Sequence, residues 1–231
     1  MKINVVITGA GGNLGHFIKE ALIHSNLDYK IIACDYSPNA LGLYQADVGY
    51  VVPPAKAPDY LSEIMRICRE EKAHIIMAGG MVEMRLLAEN KALIKETTGA
   101  FVVSSAPKDL KAMEDKWELT QHLKSINYDY PRSVLPHCQK EVEKFIETYK
   151  FPLIIKDRLG AGSKGIAVVK NKRDLDYYLA TIPNAVIQEY LYPDDEEYTV
   201  GVFLDAAHKA CASIVMKRDL GLGMTFKAKV F

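Results

Sequence analysis

The first hundred residues alternate short apolar runs with amphipathic ones. Ile3–Thr8 and residues 30–35, 49–53, 73–78 and 100–104 are β-rich runs, four of them with strongly apolar centres. Between them, Leu14, Phe17, Ile18, Ala21 and Leu22 recur at helical spacing, and so do Leu61, Ile64, Met65 and Cys68. Strands alternating with helices predict parallel pairing and a doubly wound sheet. Strands apolar along their whole length suit that arrangement, because helices then cover both faces.

The alternation stops near Ser105, where Ala106, Pro107, Lys108 and Asp109 interrupt it. One helix is expected over residues 109–126, and Pro131 and Pro136 flank a short extended segment. A further helix runs to Tyr149 with Val142, Phe145, Ile146 and Tyr149 on one face. A strand at 152–156, a loop at 157–164, a strand at 165–170, a helix near 173–180 and a strand at Ala185–Glu189 complete an α+β unit with an antiparallel sheet. Three more strands are expected at Tyr198–Leu204, 208–216 and 224–231. Three strands without a covering helix do not make a finished layer, so the expectation is a chain that lacks part of its own C-terminus.

Composition narrows the classes. A chain of 231 residues is comfortable for two domains, and 49% hydrophobic with 25% charged residues is ordinary globular composition. Twenty-nine basic residues against 29 acidic ones create no net field for a polyanion, which argues against nucleic acid and anionic membrane as partners. No apolar run approaches the ~20 residues of a membrane span, and glycines arrive too early for a signal peptide. The cytoplasm is the expected location. Cys34, Cys68, Cys138 and Cys211 are widely spaced with no CxxC pair, and buried reduced thiols are expected.

Two stretches carry candidate chemistry. In ITGAGGNLG, residues 7–15, an apolar strand meets Gly9, Gly11, Gly12 and Gly15 as a helix begins near Asn13. Backbone without Cβ atoms can approach an anion there, and Asp35 closes the next strand where a ribose hydroxyl could sit. That leaves an NAD(P)-dependent dehydrogenase or epimerase as one alternative. Against it, none of the 13 tyrosines has a lysine four residues on, and the strand–helix alternation ends too early.

The other stretch has four parts: Asp115-Lys116 in an expected helix; Lys156 closing an apolar strand; the turn Arg158-Leu159-Gly160-Ala161-Gly162-Ser163-Lys164-Gly165; and IQEYLYPDDEEYTVGV, residues 187–202. Taken singly, each has a plain reading as a solvated lysine, a hairpin turn or a solvated acidic loop. Their order, however, resembles the ATP-grasp superfamily, most closely its members similar to the carbamoyl-phosphate synthase large subunit. The likeness is specific over residues 116–198 and generic in the first hundred.

The resemblance implies an α/β chain: a Rossmann-like doubly wound pre-ATP-grasp domain at 1–105, then an α+β ATP-grasp unit incomplete at its C-terminus. In that unit the N-terminal subdomain would span 106–187, and 188–231 would form the hinge and the start of the C-terminal subdomain. ATP would be bound with Lys116 on its phosphates, Lys156 on the α- and β-phosphates, and Gly160, Gly162, Ser163 and Gly165 folded over the β- and γ-phosphates. Gln188, Glu189, Tyr190 and Leu191 would read the adenine edge and sandwich the ring. Glu197 would accept the ribose hydroxyls, with Glu196 as the alternative because the intervening loop is long. Arg218 would face the transferred phosphate or an anionic substrate, or stand simply as a surface-strand arginine. Gly11, Gly12, Gly80 and Glu83 are candidates for lining the substrate pocket.

The implied activity is ATP-dependent carboxylate–amine ligation, or carbamoyl-phosphate synthase-like chemistry, through an acylphosphate. Its partners would be a small-molecule carboxylate and an amine, and a homo-oligomer is compatible with the sequence. Mg2+ is implied too, with ligands expected beyond residue 231, so these residues alone are expected to show no turnover. A nucleotide-binding module without ligase activity is the third reading.

Overall fold

The computed structural model of the chain describes residues 2–159, 165–193, 195–221 and 224–231. It divides into two compact units, Met1–Lys111 and Ala112–Phe231.

The first unit alternates strand and helix. In order come β1 (Ile3–Thr8), α1 (Asn13–Ile23), β2 (Tyr29–Asp35), α2 (Leu41–Tyr44), β3 (Val48–Val51), α3 (Tyr60–Glu70), β4 (Ile75–Ala78), α4 (Met81–Glu89), α5 (Lys91–Thr98) and β5 (Phe101–Val103). All pairings are parallel, in the order β3-β2-β1-β4-β5. Alternate residues of each strand feed opposite faces. Val6, Ile32, Ile76 and Val102 pack with Tyr60, Ile64, Ile67 and Cys68 of α3 and Leu87 and Ile94 of α4 and α5. Val5, Ile7, Ile31 and Ala33 pack against Leu43, with Ile18 and Leu22 of α1 closing over them. The direction of winding reverses between β1 and β4, the place where open α/β sheets leave a crevice at their carboxyl ends.

One expected face is turned. Leu14 and Phe17 of α1 are exposed, Phe17 by 65%, while Lys19 is buried. The lysine's stem lies inward and its Nζ donates to Gln45 Oε1 at 2.6 Å and meets Glu20 Oε1 at 3.1 Å, so the charge reaches acceptors at the rim.

The expected single helix over 109–126 is two. Pro107–Glu114 forms α6, within which the boundary between the units falls, and α7 (Lys116–Ser125) starts afresh. Asp115 separates them because its extended backbone and its carboxylate cap α7, accepting the amides of Trp117 and Glu118.

The second unit continues with β6 (Ser133–Val134), α8 (Gln139–Tyr149), β7 (Leu153–Asp157), β8 (Ile166–Val169), α9 (Lys172–Thr181) and β9 (Ala185–Glu189). Its four-stranded sheet is antiparallel, ordered β6-β9-β7-β8. Leu153, Ile155, Val169 and Ile187 join Val142 and Phe145 of α8 and Leu175 of α9 in one core. The opposite face carries Lys156, paired with Val186 on one side and Ile166 on the other. Next, β10 (Tyr198–Leu204), β11 (Ala210–Gly221) and β12 (Met224–Val230) form an antiparallel meander.

The cysteines divide. Cys34 and Cys68 are buried, and burial pushes both thiols up from their usual range. Cys138 and Cys211 are exposed rather than buried: Cys138 precedes α8, and Cys211 lies on the largely open meander. Among the described residues no helix is long and apolar enough to cross a membrane.

Candidate functional site

In the second unit Lys156 stands one residue from the end of β7, half-buried. Its ammonium forms no hydrogen bond or ion pair with any described residue. Burial pushes its pKa below the usual lysine range. The neighbouring Lys116 charge adds to this, and Glu197 opposes it. Three positions spread over 81 residues of sequence therefore share one electrostatic neighbourhood. A buried cation without a fixed partner is costly unless an anion arrives to meet it.

Lys116, expected inside a longer helix, is the first residue of α7, and its ammonium is engaged. Nζ donates to the carbonyls of Asp157 at 2.8 Å and Arg158 at 3.4 Å. Burial lowers its pKa, and the carboxylates of Asp157 and Asp115 work in the opposite direction. To touch a phosphate it must leave or share those carbonyls. Gly165 has a positive φ of 66° and its carbonyl accepts from Asp157 N at 2.7 Å, which closes the base of the turn. Gly160, Gly162 and Ser163 lie outside the described residues.

The expected hinge residues separate by environment. Gln188 is only 2% exposed and its Nε2 donates to Ser133 Oγ at 2.9 Å, so its side chain is part of the sheet and not one wall of a ring sandwich. Glu189 binds across to the neighbouring segment: its amide donates to Arg132 O, and its Oε1 accepts from Arg132 N at 2.7 Å. Beyond it the chain leaves the sheet. Tyr190 packs edge-on against Tyr192 at 4.9 Å between ring centroids, and Leu191 is exposed.

The two acidic candidates face opposite ways. Tyr198 pairs with Lys217, and the amide of Arg218 donates to the carbonyl of Glu197, so Glu196 and Glu197 fall on alternate sides of the meander. Glu196 turns to Lys217 at 2.9 Å and Tyr198 Oη at 2.8 Å. Glu197 turns to Arg218, whose Nε (2.9 Å) and Nη2 (2.6 Å) both donate to Oε1. Its Oε2 accepts from no described residue. Only Glu197 contributes to the field at Lys156. Arg218 is thereby partnered by a carboxylate, which neither alternative for it anticipated.

In the first unit the glycine turn serves packing. A Cβ on Gly15 would lie 2.5 Å from the carbonyl of Gly9, and Gly9 itself has φ 57°. Gly11 donates its amide to Asp35 Oδ2 at 2.8 Å, while Asp35 Oδ1 accepts Ser37 N at 2.9 Å. The carboxylate expected at a ribose thus already ties two backbone amides, which weakens the dinucleotide reading. Gly12 opens α1, and its carbonyl accepts from His16.

Gly80 and Glu83 lie at the reversal between β1 and β4. A Cβ on Gly80 would meet Glu83 Oε2 at 2.6 Å, and Tyr60 Oη stands 3.5 Å from Glu83 Oε1. Burial pushes the Glu83 carboxyl up, helped by the Asp35 charge. The hydroxyl of Thr8 is buried beside both and makes no hydrogen bond of ordinary geometry among the described residues. Missed from sequence was the bond between Asp115 and Arg158, 43 residues apart. Both residues stood inside quoted motifs, but nothing local links them.

A doubly wound parallel domain followed by an antiparallel α+β unit with its own strand meander is the architecture of the ATP-grasp proteins with their preceding domain. The chain shares that fold. Residues 113–219 match the family described as ATP-grasp domain, and residues 4–102 match PylC-like, N-terminal domain.

Among curated proteins it is similar to pyruvate carboxylase of Aspergillus niger, 30% identical over 145 residues, 57% of this chain and 12% of that one. It is also similar to the carbamoyl phosphate synthase large chain of Brucella suis, 22% identical over 215 residues, 87% of this chain and 18% of the relative. Among solved structures, N5-carboxyaminoimidazole synthetase from Staphylococcus aureus complexed with ADP superposes with a TM-score of 0.72 at 18% identity. That match covers 99% of this chain and 58% of the other. The chain therefore spans from about an eighth to just under three-fifths of these relatives.

Proposed function

We propose that this protein is an ATP-dependent ligase joining a small-molecule carboxylate to an amine through an acylphosphate, with ATP held in the second unit. The observation that carries the reading is Lys156: a half-buried ammonium without a described partner, on the face of β7 opposite the one packed against α8 and α9, within the field of Glu197. In this reading Lys156 meets the α- and β-phosphates and Lys116 adds a second positive charge. Gly160, Gly162, Ser163 and Gly165 serve the β- and γ-phosphates, Oε2 of Glu197 accepts from the ribose, and residues 189–191 border the adenine. Gly11, Gly12, Gly80 and Glu83 belong to the acceptor-substrate side.

The chemistry is phosphoryl transfer followed by acyl transfer. A carboxylate oxygen attacks the γ-phosphorus and ADP departs. The amine then attacks the acyl carbon and phosphate departs. The chain's part is to position the polyanion and to neutralise charge as it develops. Mg2+, when bound, would supply charge neutralisation at the phosphates. Among the described residues no group of three or more His, Cys, Asp or Glu side chains is placed to hold a metal, so no step is assigned to it.

The test is titration of ATP, ADP and NAD(P) by calorimetry against the parent and Lys156→Ala. ATP and ADP should bind and NAD(P) should not. The variant should lose about ten- to a hundredfold in affinity, the ~1.5–3 kcal/mol of one charge-assisted phosphate contact. Tight NAD(P) binding without a response to ATP would move the function to the glycine turn of the first unit.

A further inference from the structure

We infer that Asp115 and Arg158 form a positioning pair that sets the two lysines of the phosphate site, an inference that rests on the second unit binding nucleotide. The hydrophobic pattern alone would let one helix run through Asp115, yet the chain breaks there. The break exposes a carboxylate with four donors around it. Oδ1 accepts Trp117 N at 2.9 Å, Glu118 N at 3.3 Å and Arg158 Nε at 3.0 Å, and Oδ2 accepts Arg158 Nη2 at 2.6 Å. Burial pushes the Asp115 carboxyl up, but Arg158 and the two amides outweigh it and hold the pKa below the usual range.

Arg158 directly precedes Leu159 and the glycine turn. Its carbonyl accepts Lys116 N at 3.1 Å, and its own amide donates to Asn184 O at 2.9 Å. The end of β7, the start of α7 and the entrance to β9 therefore meet at this one fork. Lys116 follows Asp115 in the chain, and Lys156 lies two residues before Arg158. Fixing Asp115 to Arg158 fixes the two lysine backbones relative to each other.

Such a device has a physical reason. Lys116 and Lys156 repel, and each also bears a burial cost. A planar two-point fork opposes that repulsion with a defined geometry, which a single lysine–carboxylate contact would not supply. Asp115 and Arg158 hold the site together without needing to touch the nucleotide.

Asn caps a helix about as well as Asp, so Asp115→Asn preserves the cap while removing the charge and one acceptor. Arg158→Lys preserves the charge while removing the fork. The experiment is equilibrium dialysis of radiolabelled ADP and adenosine with the parent and both variants, beside urea unfolding of each. Each variant should lose about tenfold in ADP affinity, with adenosine affinity and the urea midpoint close to the parent's. The double variant should be no worse than either single one. Parent affinity for ADP in both variants would overturn the inference. So would an equal loss of adenosine and ADP, or a loss that tracks the urea midpoint, since each marks a purely structural role. A parent that binds no ADP would instead overturn the nucleotide reading on which the inference stands.

Discussion

Asp35 closes β2 in the first unit, and Lys156 stands one residue from the end of β7 in the second. Both are titratable side chains at the carboxyl end of an apolar strand and close to glycine-rich backbone. The surroundings differ. Asp35 is buried, and each of its oxygens already accepts a backbone amide, from Gly11 and Ser37. Lys156 has neither hydrogen bond nor ion pair among the described residues. Strand, glycine and end-of-strand charge look alike along the chain, yet one arrangement is internally satisfied and the other, among the described residues, is not. Whether a charge already has its partner, more than the motif around it, separates a structural turn from a binding site.

Crossed substitutions break this comparison most directly. Lys156→Ala should cost about ten- to a hundredfold in ADP affinity and little stability. Asp35→Ala should leave ADP affinity unchanged and cost about 1–3 kcal/mol of stability, because the amides of Gly11 and Ser37 lose their acceptor. Calorimetry and urea denaturation of the pair read both effects. Loss of ADP binding in the Asp35 variant would show that the first unit's turn holds the nucleotide after all.

A smaller effect tests which acid belongs to the site. Glu197→Gln should weaken ADP by about three- to tenfold, or ~0.5–1.5 kcal/mol, and Glu196→Gln should not. Equal losses from both would remove the argument from opposite faces of the meander.

The lowered pKa of Lys156 gives a pH signature with a definite sign. Bound phosphate favours the charged lysine. As pH rises through the lowered pKa of the free protein, binding must first recover a proton, so ADP affinity should fall on the alkaline side, beginning below the ordinary lysine range. Lys156→Arg, which stays protonated, should flatten that decline in Kd measured against pH.

The weakest effect concerns Glu83. Its folded-state pKa is raised, so its contribution to stability is fully present below the ordinary carboxyl range and is lost as pH rises through the raised value. Glu83→Gln should remove that decline from a series of urea midpoints against pH. A parent whose stability is flat there would mean that Glu83 is better solvated than its surroundings indicate.

Much of the fold was legible because its causes are local. The apolar runs at Ile3–Thr8 and Ala185–Glu189 are strands as expected. The stripe Val142, Phe145 and Ile146 is the packed face of α8, with the Tyr149 ring tilted against Phe145 at 4.6 Å between centroids. The helix break at Asp115 was readable in principle, since Asp followed three residues later by Glu118 is an N-terminal signal. It was outweighed by an apolar period that runs through it. The inward turn of Lys19 was not readable, because a lysine stem packs like an aliphatic chain only where an acceptor such as Gln45 waits at the rim.

The sequence by itself determined the kinds of element, the change from a parallel to an antiparallel unit, and the set of lysines, glycines and acids from which a phosphate site could be drawn. These follow from periodicity and from backbone freedom, which act over a few residues. Tertiary structure alone decided how that set is used. It turned Gln188 inward to Ser133, gave Glu197 rather than Glu196 to the field of Lys156, joined Asp115 to Arg158, and tied up Asp35 while leaving Lys156 without a partner among the described residues. Each of these outcomes depends on which distant strands and helices become neighbours, and hydrogen bonds and charges act across space without regard to separation along the chain.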